Sequence, residues 1–180
     1  MQNTVLKIDL LGSPLIQLNG TPVHITRRKA MGLLAFLAVK ARPVSREQLA
    51  ATLWEDSETK RGLAYVRNAV WELNKALGDD WLLLEDDTVQ LNPLGVVDVN
   101  EFRRLTEQTN GHDDSITRVE RLEQASNIYR DDFLAGFVIP DSNTFEEWLV
   151  ITRESLKQTF TGALERFCDA LVALHRTEEA

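Results

Sequence analysis

The chain has 180 residues, of which 43% are hydrophobic, and a formal net charge of -8. That size allows one large domain or two small ones, and that apolar content is enough to bury a core, so disorder is excluded as the default. The single cysteine, Cys168, rules out an intramolecular disulfide framework and a thiolate zinc site, which fits a reducing cytoplasm.

Cys168 is read as a buried helix residue. The opening MQNTVLKIDLLG is too short and interrupted for a signal peptide, and the longest apolar run, Ala30 to Val39, is too short to cross a bilayer. A soluble cytoplasmic protein without membrane association is expected. The charge is unevenly placed. Residues 1–95 carry eleven Lys/Arg and eleven Asp/Glu, whereas residues 96–180 carry nine against seventeen, so all of the net acidity is C-terminal. Residues 24–75 hold ten basic and five acidic residues and are locally +5. A polyanion partner therefore suits that segment and no other.

In chain order, short apolar runs over residues 4–25, broken at Gly12-Ser13-Pro14 and at Asn19-Gly20, predict a small antiparallel sheet; Asn-Gly between such runs is a tight-hairpin signal. Arg27 to Lys40 predicts a first helix, apolar nearly all round and therefore central. Ser45 with Gln48 three residues on forms a capping box, and Val44 can staple onto Leu49, which starts a second helix running to about Trp54.

A third helix is predicted from about Glu58 to Leu77, with Leu63, Val66, Val70, Leu73 and Leu77 on one stripe and Gly78 as its stop. At about 100° per residue, the opposite side carries Arg61, Ala64, Asn68 and Lys75, with Trp71 and Glu72 slightly off axis and Lys60 and Arg67 on a flank. Small and hydrogen-bonding residues outward, with cations at the edges, suit a helix lying in the major groove, where Arg reads guanine and Asn reads adenine. A plain amphipathic helix shows the same polar face. Two short strands follow, Trp81 to Glu85 and Val89 to Leu91, around Asp86-Asp87-Thr88. Three helices and a hairpin make a winged helix, in which the second and third helices form the helix-turn-helix. The extra N-terminal sheet resembles the OmpR-like winged helix of response-regulator output domains.

Beyond residue 95, Asp98 and Glu101 box the start of a helix running to about Glu107, with Val97 and Phe102 as its staple. A loop from Thr109 to Ser115 precedes a helix from Ile116 to Tyr129. A long helix then starts near Thr144, carrying Phe145, Leu149, Thr152, Leu156, Phe160, Ala163, Phe167 and Leu171 at three- and four-residue spacing. Stacked helix pairs are implied.

GLAYVRNAVWELNKALG, the hairpin, VDVNEFRRL and then YRDDFLAGF and FEEWLVITRESLKQTFTGALERFCDAL, in that order, resemble the bacterial transcriptional activator domain attached to its winged helix, the antibiotic-regulatory-protein type of actinomycete regulator. The resemblance covers nearly the whole chain. The fold class expected is mainly α with a small β component: an OmpR-like winged helix over residues 1–95, then an all-α tetratricopeptide-like domain over residues 96–180. The resemblance implies sequence-specific binding of double-stranded promoter DNA, tandem copies on direct repeats or other self-association, and recruitment of RNA polymerase. Helical repeats bury their faces on neighbours, so the chain is expected to be a C-terminally truncated piece of a longer regulator. Relatives place more Arg near the end of the third helix, where Glu72, Asn74 and Lys75 stand here. Glu72 would repel phosphate or accept from cytosine. The acidic hairpin tip also weakens a backbone contact, so a single copy is expected to bind weakly.

The candidate recognition residues are Lys60, Arg61, Ala64, Tyr65, Arg67, Asn68, Trp71 and Lys75. Tyr65 and Trp71 either touch bases and sugars or pack on the wing. The candidate phosphate contacts are Arg27, Arg28 and Lys29 at the first helix, Ser45 and Arg46 at the second, where amides and a positive dipole end point outward, and Thr88 in the hairpin. Trp54 and Trp81 are read as core and Trp148 as lining the seam between the two parts. His24, His112 and His175 stand far apart with no metal-spaced partners and are read as surface. There is no phosphate loop, no HExxH and no nucleophile beside a base, so no catalytic residue, metal or cofactor is expected. The alternative is a protein-interaction or signalling module whose winged helix does not bind DNA.

Overall fold

The computed structural model describes residues 4–108 and 115–178. The expected loop from Thr109 to Ser115 and His112 fall essentially outside the described residues, as does the side chain of His175.

The first sheet is built from β1 (Leu6–Asp9), β2 (Leu15–Leu18) and β3 (Thr21–Pro22), paired antiparallel in register Ile8 with Ile16 and Leu18 with Thr21. Asn19 and Gly20 both take positive φ, 52° and 78°, which is the turn that twisted two-residue hairpins require. α1 (Arg28–Lys40) follows, and every residue from Ala30 to Val39 is buried. Its all-round apolar surface makes it the central helix. It closes on Ala41 in the left-handed region, whose N–H donates to the Leu37 carbonyl.

β4 (Val44–Ser45) leads into α2 (Arg46–Leu53), where the expected cap is present: Ser45 Oγ accepts from the Gln48 amide at 3.1 Å. α3 (Thr59–Leu77) buries Val66, Val70, Leu73 and Leu77, and Gly78 ends it at φ 94°. Gly62 lets α3 approach α2, since a Cβ there would stand 3.2 Å from that of Ala50. β5 (Leu82–Glu85) and β6 (Thr88–Leu91) form the wing, with Asp86 at φ 37° in its turn. β4 adds to the wing through β6, Ser45 opposite Thr88.

After the wing the chain returns as β7 (Val96–Val97), parallel to β1 with Val97 opposite Ile8. This strand extends the N-terminal sheet from beyond residue 95. α4 (Asp98–Gln108), α5 (Ser115–Ile128) and α6 (Asn143–Glu178) complete the fold, α5 packing against both α4 and α6. The fold is mainly α, a winged helix followed by a helical unit, as expected.

The two parts share one continuous hydrophobic core that includes Ile8, Leu34 and Phe36 from the first and Phe102, Phe133 and Phe145 from the second. Residues 132–135 are stitched to residues 10–12 by backbone bonds, including Leu134 N to Leu10 O at 2.8 Å. Asp98 reaches back across the same seam and accepts from the Leu10 and Leu11 amides, both at 2.8 Å. Burial raises its pKa, and those amides oppose the rise. Trp148 stands at this seam, 4.8 Å from Phe36 and 5.8 Å from Phe133 between ring centroids.

Three sequence expectations are corrected. Cys168 is exposed, because α5 covers only the side of α6 bearing Ala163, Phe167 and Ala170. Leu171 is 43% exposed for the same reason: the buried stripe runs on to Ala170 instead. Trp81 is core at 5% exposure, but Trp54 is only partly buried at the core's edge.

Candidate nucleic-acid interface

The stripe that α3 buries against α1 and α2 fixes which of its residues face outward. Lys60, Arg61, Arg67, Asn68, Trp71 and Lys75 are all exposed on that side, Tyr65 is exposed at its margin, and Ala64 is half-buried. Trp71 is 65% exposed, and Lys75 Nζ lies 5.4 Å from its ring centroid. Tyr65 stacks on Trp54 at 6.1 Å.

Glu72 departs from expectation. Its carboxylate does not project outward but folds toward α1, where Oε2 meets Arg27 Nε at 3.2 Å and Oε1 accepts from the Arg27 backbone N–H at 3.2 Å. The side chain is 18% exposed. Pairing removes most of the repulsion that a bare carboxylate would present to phosphate, and it engages Arg27 at the same time.

The other cations at the start of α1 are also engaged, both with the C-terminal part. Arg28 donates to the Val138 carbonyl at 3.2 Å and Lys29 to the Asp141 carbonyl at 3.3 Å. Partial burial lowers the pKa of Lys29, while Asp141, Asp56 and Glu55 act in the opposite direction. A cleft of about 430 Å³ opens beside these residues, reaching Trp54, Tyr65 and Asn68 on one side and Ile139 on another.

Ser45, Arg46 and Thr88 are brought together by the pairing of β4 with β6. Two of the groups that made this helix start attractive already have partners. Ser45 Oγ caps Gln48, and the Arg46 amide donates to the Asp87 carbonyl at 2.7 Å, so the wing turn sits on the first amide of α2. Thr88 Oγ1 donates to the Glu85 carbonyl at 3.1 Å. The exposed Asp86 and Asp87 therefore lie beside the candidate phosphate contacts.

The turn between α2 and α3 contains a residue that sequence reading missed. Glu55 caps α6, accepting from the Asn143 and Thr144 amides, both at 2.9 Å, and from the Thr144 hydroxyl. These bonds, led by that hydroxyl, hold its carboxyl below the usual range. Ser142 Oγ donates to the Leu53 carbonyl at 2.8 Å alongside. The helix-turn-helix is thus bonded directly to the start of the longest helix. The partners lie 88 and 89 residues apart, a pairing that no local motif announces. Among the described residues no cluster of metal-ligating side chains occurs, and no helix is long and apolar enough to cross a membrane.

Residues 97–180 match the bacterial transcriptional activator domain family. No curated protein gives a significant match to the sequence. Among solved structures, the fold is similar to that of Mycobacterium tuberculosis EmbR, determined in complex with a low-affinity phosphopeptide, at a TM-score of 0.77 and 20% identity. The match covers 98% of this chain and 48% of that one, so this chain spans about half the length of the structure it resembles.

Proposed function

We propose that this chain, which carries a bacterial transcriptional activator domain over residues 97–180, is a cytoplasmic transcription regulator that binds promoter DNA with α3 in the major groove. The observation that carries the reading is the outward face of α3, where Lys60, Arg61, Arg67, Asn68 and Lys75 are all exposed on a helix anchored by its opposite side. Arg61 and Asn68 are the base-reading candidates, since they stand opposite the buried stripe and their side chains offer paired hydrogen bonds to guanine and adenine edges. Lys60, Arg67 and Lys75 sit where they contact the flanking phosphates. Arg28, Lys29 and Arg46 border the same face and supply further positive charge, and Ser45 and Thr88 lie at the junction of α2 and the wing. The helical unit is the surface for RNA polymerase or for a second copy on direct repeats.

Affinity from one copy is modest on this reading, because the wing tip is acidic and the first amide of α2 is occupied. Selection of bound sequences from a random duplex pool tests it. Recovery of a motif with half-sites at helical-turn spacing is expected. With about four phosphate contacts, log affinity falls against log salt with a slope of about -3.6. No enrichment, together with a flat salt response, removes the proposal. The acidic tip favours one other reading, a protein-interaction module whose winged helix makes no DNA contact. It predicts that same absence of enrichment.

A further inference from the structure

The cleft beside α1 combines cations with aromatic rings. Its lining includes three cations, Arg27, Arg28 and Lys29, and no carboxylate. The neighbouring acids stand outside it: Glu72 is held by Arg27, and Glu55, Asp56 and Asp141 act on Lys29 without lining the space. One wall is aromatic, with the Trp54 and Tyr65 rings 6.1 Å apart and inclined by 30°. Lys29 Nζ lies 5.7 Å from the Trp54 centroid. Ile139 adds an apolar side chain from the C-terminal part.

We propose that this cleft binds a small planar aromatic acid, with its ring on the Trp54–Tyr65 wall and its acid group between Arg28 and Lys29. The volume of about 430 Å³ suits a small molecule, and a mostly apolar lining with a few converging polar groups at a junction of chain segments is the ordinary form of such sites. Contact with the Trp54 and Tyr65 side chains orients the ring, and two charge-assisted hydrogen bonds select the acid over its amide. Arg28 and Lys29 each give one donor to a backbone carbonyl, of Val138 and of Asp141, and keep further N–H groups for a carboxylate. The site goes beyond DNA binding and does not depend on it. Because Tyr65 and Asn68 line the cleft, an occupant covers part of the outward face of α3 and competes with DNA for it.

The test is an NMR titration of the isotope-labelled 180-residue chain with sodium salicylate, with salicylamide as the probe lacking the acid and sodium acetate as the probe lacking the ring. Saturable shifts confined to the Trp54 indole N–H and the backbone amides of Lys29, Tyr65 and Ile139 are expected, with both control probes at least about tenfold weaker. Arg28→Gln and Lys29→Gln, both at the solvent end of α1, should each weaken salicylate at least about fivefold while leaving the remaining spectrum in place. Shifts scattered over the molecule, acetate equalling salicylate, or unchanged affinity in both variants would overturn the proposal. So would duplex DNA moving these resonances where salicylate does not, which would assign the cleft to a backbone phosphate. The salicylate arm contains no DNA, so its outcome is separate from that of the DNA-binding reading.

Discussion

The cations of α3 and those at the start of α1 have similar chemistry and neighbouring positions, yet their circumstances differ. Lys60, Arg61 and Arg67 project from a helix whose opposite face is buried, and none of them pairs with an acid in the described part of the chain. Arg27, Arg28 and Lys29 are each tied down, to Glu72, Val138 and Asp141. A count of basic residues treats the two groups as equal. The structure separates them into one set without acidic partners and another that is engaged within the fold, Arg27 with α3 and Arg28 and Lys29 with the C-terminal part.

The coupling can be broken most severely at its apolar base. Phe145 is fully buried, with its ring centroid 5.1 Å from that of Trp148, and a Cβ at Gly32 of α1 would run into Ile139 beside it. Phe145→Ala should cost about 3–5 kcal/mol in chemical denaturation. A loss under 1 kcal/mol would mean that the seam is not cooperative with the rest. On the recognition side, Arg61→Ala and Asn68→Ala should each reduce discrimination between the selected site and a scrambled duplex by about 1–3 kcal/mol, leaving non-specific affinity nearly unchanged. Equal losses on both duplexes would instead mark them as phosphate contacts.

The comparison itself is sharpened by salt titrations. Lys60→Ala and Arg67→Ala should each reduce the salt slope by about 0.9, whereas Arg28→Ala, removing a cation already held by a carbonyl, should change it less. The reverse order would show that the tether is released on binding. The smallest effect concerns Glu55. Its folded pKa lies below its unfolded value, so its stabilisation is present above the unfolded value and is lost as pH falls through the folded one. Glu55→Gln should lower the melting temperature at pH 7, and the difference from the parent chain should vanish in acid. A difference that persists there would point to packing as its source.

Much of this organisation was legible from periodicity and punctuation. The α3 stripe, the Ser45 cap, the Asn19-Gly20 turn and the Gly78 stop are local signals, and local signals fix elements and faces. The outward residues of α3 follow from its buried ones by geometry alone. What could not be read depends on chain segments that are distant in sequence. Nothing near Glu72 indicates that Arg27 will take its carboxylate, so its helical position alone suggested an obstacle to DNA. β7 has two residues and no alternation to announce it. Trp54 reads as core because it is large and apolar, but it stands at the rim of a cleft that exists only once residues 138–141 have docked. The same holds for Glu55, whose capping role requires α6 to begin beside it.

The return of the chain as β7 has a practical meaning for dissecting the protein. A cut at residue 95, where the winged helix ends by its own element count, would strip the parallel partner from β1 and remove the Asp98 carboxylate that serves the Leu10 and Leu11 amides. It would also bare Leu10 and Leu11, which are fully buried in the intact chain. The winged helix is therefore not a detachable cassette. Grafting it onto another protein would have to carry β7 and the first turn of α4 with it.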